Sequence, residues 1–213
     1  VLEACREGKY TSVLVQTHDK KYVEYRTEHF VNALGSGAGK LCDSMGIDAG
    51  LYPVRHQAFI TRRLPMLGKH GTNLDMLIDR QDYKGFSAVY GQQIAYTGQI
   101  IGCASPKLDA MRIDKNLKVN TKAFLEIVSE MFSEWIPDLA GVGIQAVWAG
   151  YYTEPRYIVD PELGLFVGMR GHGFMLSQYI ARMYVDKLLG RPVPEYFEKS
   201  KLNGPGLSEK AFK

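Results

Sequence analysis

The chain is 213 residues long, 46% hydrophobic and 23% charged, which suits one domain or two small ones with a real core and excludes extensive disorder. A net charge of +3 with no dense Lys/Arg cluster speaks against a nucleic-acid partner. No apolar run reaches the roughly 18 residues needed to cross a bilayer, and the segment GVGIQAVWAGYY is too short and too glycine-rich for that role. The three cysteines, Cys5, Cys42 and Cys103, are isolated, with no CxxC or Cys/His ligand spacing. Neither a disulfide framework nor a metal site is expected, and the expected setting is reducing and cytoplasmic.

In chain order, VLEACREGKY reads as the end of a helix stopped by Gly8, so the chain is expected to be an excerpt of a longer protein. SVLVQT (12–17) and KYVEYRT (21–27) alternate apolar and polar residues as half-buried strands do, with HDKK as the turn between them. HFVNALG runs apolar without alternation, as a strand covered on both faces does. GAGKLCDSMG carries a short helix ended by Gly46. LYPVRHQAFIT is a strand with Pro53 near its start. NLDMLIDR, FSAVYGQQIAY and GQIIGCAS continue as strands, and together these segments predict an antiparallel sheet.

The clearest helix is NTKAFLEIVSEMFSEWIP. Asn120 or Thr121 caps it, Phe124, Ile127, Val128, Met131, Phe132 and Trp135 recur at helical spacing, and Pro137 ends it. A strand GIQAVWAGYY, a loop TEPRYIVDPE and a strand LGLFVGM follow. RGHGFMLSQYIARMYVDKLLG then opens with two glycines and carries a helical apolar stripe to Gly190 and Pro192. The polar tail EYFEKSKLNGPGLSEKAFK reads as loosely packed.

Two glycine-rich turns carry the candidate chemistry. FVNALGSGAGKL has a Gly-Lys pair at Gly39-Lys40, but a P-loop needs glycine where Leu34 stands and Ser or Thr where Leu41 stands. The dinucleotide fingerprint GxGxxG fails as well, because the third glycine is Gly39, one position early. What remains is a tight strand-to-helix turn. GLFVGMRGHGFMLSQYIA places an apolar strand, a turn with Gly171 and Gly173, and a helix in direct succession. Free N–H groups at such a helix start favour an electron-rich ligand atom, and glycine admits it closely. The pyrimidine side of a reduced flavin suits that geometry, and a plain strand–helix corner is the alternative.

RGHGFMLSQYIARMYVDKLLG resembles the C-terminal flavin-contacting segment of the D-amino-acid oxidase-like FAD oxidoreductases, a group that includes sarcosine oxidase and dehydrogenase, glycine oxidase and dye-linked L-proline dehydrogenase. PVRHQAFIT resembles the strand that leads into the group's substrate domain. WAGYY resembles the strand near the flavin that precedes the last βα unit, and VEYRTEHFVNALGSGAGKLCDSMGI resembles the strand–turn–helix that closes the cofactor domain. Gly37 departs from the Trp that the family often carries at this turn.

The resemblance implies an α+β fold: residues 1–50 and 148–193 as the α/β remainder of an FAD-binding domain, 51–147 as a mixed, mostly antiparallel substrate domain with flanking helices, and 194–213 as a tail. It implies FAD as cofactor, contacted by Ala33, Leu34, Gly35, Arg170, Gly171, His172, Gly173, Phe174 and Met175. It implies hydride transfer from the amine-bearing carbon of a proline- or sarcosine-like substrate to flavin N5, with no side-chain base assigned. Met175 stands where sarcosine oxidases carry a carboxylate-gripping Lys, so Tyr90, Tyr152, Arg55 and Arg156 are the candidates for the substrate carboxylate. The family's GxGxxG unit has no counterpart in the sequence. An N-terminal dinucleotide-binding half, in the same parent chain or in a partner, is expected to complete the site. The alternative is a non-catalytic substrate-domain fragment or accessory subunit.

Overall fold

A computed structural model describes residues 1–68, 71, 73–81, 86–106, 117 and 121–206. The chain divides into two compact units, Val1–Pro53 with Tyr152–Lys213, and Val54–Tyr151. The fold is α+β.

The first unit opens on a three-stranded antiparallel meander of β1 (Glu3–Glu7), β2 (Tyr10–Gln16) and β3 (Tyr22–Thr27). Here the structure corrects the expectation of a helix end. Glu7 pairs with Tyr10, and Gly8, at φ 62°, takes the first central position of a two-residue hairpin loop. A helix C-terminus and this turn both call for left-handed glycine, so Gly8 alone could not separate them. Pairing with β2 decided in favour of a strand, and it buries Ala4.

HFVNALG is not the continuous strand expected. Only Asn32 pairs, in parallel, with Leu165. The Asn32 side-chain oxygen accepts from the Leu34 N–H at 3.3 Å, a local bond that bends the backbone out of extended pairing. A single 3-10 turn (Gly35–Gly37) leads into α1 (Ala38–Ser44), whose Ala38, Leu41 and Cys42 are buried.

The second unit is built on a five-stranded sheet in the order β5-β6-β7-β4-β8, from β4 (Tyr52–Thr61), β5 (Leu77–Asp79), β6 (Phe86–Gln93), β7 (Ile100–Pro106) and β8 (Ile144–Glu154). The division between units falls within β4 and β8. One sheet face is covered by α2 (Thr121–Trp135). Its buried Phe124, Ile127, Val128, Met131 and Phe132 pack on Phe59, Val89, Ile100 and Ala104, with Phe59 and Phe132 edge to face at 5.4 Å. Each such side chain contributes about 1.5–3 kcal/mol through burial, so this stripe alone fixes the helix to the sheet. Gly102 is required beneath it, since a Cβ there would lie 2.5 Å from the Phe59 ring. Asn120, one of the two expected caps of α2, lies outside the described residues.

The chain returns to the first unit through β9 (Ile158–Asp160) and β10 (Leu165–Val167), an antiparallel pair. β9 corrects the reading of TEPRYIVDPE as a loop. Prolines at 155 and 161 bracket a strand whose three residues are all buried. A 3-10 turn (Arg170–His172) precedes α3 (Gly173–Leu188). The tail is not loose throughout: α4 (Glu195–Glu198) buries Phe197 against Val159, Ile180, Met183 and Tyr184. Residues 207–213 of the tail lie outside the described residues.

Candidate functional site

Asn32 N–H donates to the Gly164 carbonyl at 2.7 Å, and Phe166 N–H donates to the Asn32 carbonyl at 3.0 Å. Because the pairing is parallel, the 30–32 segment and β10 run the same way, and the turns that follow them lie at the same end. The structure thereby brings together the two glycine-rich turns of the first unit, 33–37 and 168–173. Asn32 holds the first of them. It is fully buried, and its amide nitrogen donates to the Ala38 carbonyl at 3.0 Å. Asn32 is a positioning residue that the sequence reading missed. A lone Asn inside the apolar run HFVNALG was the available signal.

Ala33, Leu34 and Gly35 are exposed on that turn. Gly35 has φ 55° with open space where a Cβ would stand, and α1 starts at Ala38, after Gly37 as N-cap, with no side-chain cap hydrogen bond. The second turn is more tightly built. Arg170 sits at φ 49°, a left-handed conformation that a side chain disfavours, and its Nε donates to Glu154 Oε2 at 2.7 Å. The ring of Tyr152 lies over Gly171, and the hydroxyl of Tyr157 meets His172 Nδ1 at 2.5 Å. Tyr157 is fully buried, so the imidazole is anchored from the protein interior. Glu154 and Tyr157 are further residues that sequence reasoning missed, since nothing local links TEPRY to the turn.

α3 starts with no side-chain cap and no acidic residue in its first turn, and Phe174 is 99% exposed beside Met175 at 68%. The start of α3 therefore lies at the surface and carries the partial positive charge of the helix dipole. Among the substrate candidates of this unit, Tyr152 lies at the turn. Arg156 reaches the C-terminal segment instead, donating to the Gly204 and Leu202 carbonyls at 2.9 and 2.5 Å.

In the second unit, Arg55 lies half-buried on β4 and Tyr90 lies on β6. Tyr90 lines a pocket on the sheet together with Ala58, Met76, Gln92, Ile101, Cys103 and Trp148. Burial pushes the Cys103 thiol up, so it is a protonated, weakly reactive group. Among the described residues no group of three His, Cys, Asp or Glu side chains is placed to hold a metal, and no helix is long and apolar enough to cross a membrane.

Glycine turns at helix starts without a side-chain cap are a setting that favours an electron-rich ligand atom. The chain belongs to the FAD-dependent oxidoreductase family: the family model described as DAO, FAD dependent oxidoreductase, matches residues 1–187. FAD is the cofactor of that family. The open space at Gly35 and the uncapped starts of α1 and α3 fit the polar edge of an isoalloxazine ring.

Among solved structures, the chain is similar to L-proline dehydrogenase from P. horikoshii, with 26% identity, a TM-score of 0.65, and coverage of 92% of this chain and 50% of that one. Glycine oxidase from Geobacillus kaustophilus gives 18% identity, a TM-score of 0.62, and coverage of 92% and 50%. Iminodiacetate oxidase from a Chelativorans species gives 14% identity, a TM-score of 0.62, and coverage of 92% and 53%. The chain thus spans about half the length of the solved relatives it matches. No curated protein matches the sequence.

Proposed function

We propose that the chain is the flavin- and substrate-facing part of an FAD-dependent dehydrogenase or oxidase of an amino acid or secondary amine, proline-like or sarcosine-like. The observation that carries this reading is the parallel Asn32–Leu165 bridge, which puts two uncapped, glycine-opened helix starts at one end of the first unit. Residues 1–50 and 148–193 are assigned to the FAD-binding domain and 51–147 to the substrate domain. The likeness to P. horikoshii L-proline dehydrogenase, at 26% identity, supports an amino-acid substrate.

When bound, FAD supplies the two-electron acceptor for oxidation of the amine carbon to an imine by hydride transfer to N5. The chain's own part is orientation and electrostatics. Gly171 admits the close approach of the Tyr152 ring, and the dipole of α3 favours negative charge on the electron-rich edge of the flavin at the helix start. Arg170 places a cation at that turn, held by Glu154, and Tyr157 fixes the orientation of His172. Ala33, Leu34 and Gly35 approach by backbone from the other turn. Tyr90, Tyr152 and Arg55 are the groups assigned to the substrate carboxylate. Arg156 is given a docking role, because its guanidinium is engaged by carbonyls. A neutral bound amine needs no side-chain base.

The adenosine side is assigned to an N-terminal dinucleotide-binding half, in the same polypeptide or in a partner, and the setting to the cytoplasm. The half-length match to solved relatives favours a second reading, a fragment or accessory subunit without its own cofactor. The deciding experiment is the mass and visible spectrum of the protein purified from its source, followed by anaerobic mixing with proline and sarcosine. Flavin bands bleached by an amine support the first reading. A colourless 23.9 kDa protein that gains no flavin supports the second.

A further inference from the structure

We infer that the pocket on the open face of the second unit's sheet receives the apolar side chain or ring of the substrate, so that the enzyme selects hydrocarbon-bearing amines over glycine, sarcosine and acidic amino acids. This rests on the reading above and decides between its two substrate types.

The strand register sets the pocket. Tyr90 pairs with Cys103 and Gln92 with Ile101 across β6 and β7, while Ala58 pairs with Cys103 across β4 and β7. Side chains of directly paired residues share a face, so these five lie together, opposite the face on which Phe59 and Ala104 meet α2. Across that face Trp148, Ile101 and Met76 are 42%, 36% and 49% exposed, an unusual density of large apolar groups left in contact with solvent.

The cavity between them is about 190 Å³. An apolar cavity of about 150 Å³ takes a benzene ring, so this one has room for a five- or six-membered ring or a branched aliphatic chain. Among the described residues no charged side chain lines it, and the lining residues that carry a polar side-chain group are Tyr90, Gln92, Trp148 and the protonated Cys103. A carboxylate placed there would lose its hydration without gaining a cation. The pocket therefore fits the hydrocarbon part of the substrate, and of its lining only the Tyr90 hydroxyl is among the groups assigned to the carboxylate.

The test is kcat/KM of the holoprotein for glycine, sarcosine, alanine, proline, leucine and aspartate. We expect a rise of about tenfold or more per methylene that fills the pocket, with aspartate below alanine. Ile101→Arg should reverse the order of leucine and aspartate, and Trp148→Ala should flatten the series. Binding is read separately through Trp148 fluorescence in a Trp135→Phe background, with cyclopentanecarboxylate quenching at a concentration at least about tenfold lower than acetate. If no amine is oxidised but cyclopentanecarboxylate keeps that advantage, the enzymatic reading fails and the pocket assignment stands. Amine oxidation with glycine or sarcosine as good as leucine and proline, or equal binding of the two carboxylates, overturns the inference.

Discussion

The ring of Tyr152 occupies the space that a side chain would need at Gly171: a Cβ there would lie 2.6 Å from Cε2 and 3.1 Å from Cζ. Gly171 is thus held to glycine by an aromatic neighbour contributed by β8, at the turn that opens α3. Gly171→Ala should push the ring aside at about 1–3 kcal/mol of overpacking and weaken flavin binding about tenfold or more. Tyr152→Ala in the same chain should restore most of the stability. Thermal unfolding with flavin titration of the two single variants and the double variant checks this, and additive losses would contradict it.

The Arg170–Glu154 ion pair holds a left-handed residue in place, and Glu154 is largely shielded from solvent. Glu154→Gln keeps the shape and removes the charge. It should cost about 1.5–3 kcal/mol in denaturant unfolding, the range for a hydrogen bond to a charged group. A loss below about 0.5 kcal/mol would place the pair with ordinary surface pairs.

Tyr184 offers the opposite sign. It is buried on α3, and among the described residues its hydroxyl has no hydrogen-bond partner. Burial, with the nearby Asp160 charge, pushes its pKa up to about 12. A hydroxyl buried without a partner carries an uncompensated desolvation cost of about 1–3 kcal/mol, so Tyr184→Phe should be neutral or stabilising. The phenol favours its neutral form when folded, so its contribution is intact below pH 10 and declines as pH rises towards 12. The phenylalanine variant should lose less stability over that interval, as equilibrium unfolding at a series of alkaline pH values would show.

Lys201 bridges Glu162 and Glu198 at 2.8 and 3.1 Å, and Lys187 meets Glu198 at 2.5 Å, tying the α4 segment to α3 and to the β9–β10 turn. Lys201 lowers the Glu162 carboxyl, and Lys187 with Lys201 lowers that of Glu198. Their contribution is present above the ordinary carboxylate value of 4.5 and is lost as pH falls through the lower folded values. Lys201 is raised by Glu162 and Glu198, so its share is present below 10.5 and is lost as pH rises through its folded value. Amide exchange across 195–206 should therefore accelerate in acid and in strong alkali, and also with added salt at neutral pH, since these groups are partly exposed. Salt-independent exchange would show that Phe197 burial alone docks the segment.

Much of the fold was legible because its elements carry their own period. The stripe from Phe124 to Trp135 and the alternation of β2 and β3 needed no partner to be recognised. β1, β9 and α4 were not legible, because each is too short to show a period and is defined by what it pairs with or packs on. The candidate site divides in the same way. Gly35, Gly171, His172 and Gly173 stand out as a pattern of residue types, whereas Asn32, Glu154 and Tyr157 matter through partners outside that pattern.

By itself the sequence determined the antiparallel sheet, the helices α1, α2 and α3, and the two glycine turns, since helical spacing, strand alternation and the backbone freedom of glycine are local properties. Only the tertiary structure decided that Asn32 pairs in parallel with Leu165, that Tyr152 covers Gly171, and that Trp148, Ile101 and Met76 share one open face. Those relations join residues distant in the chain, and chain closure brings them together only when the cores of each unit have packed.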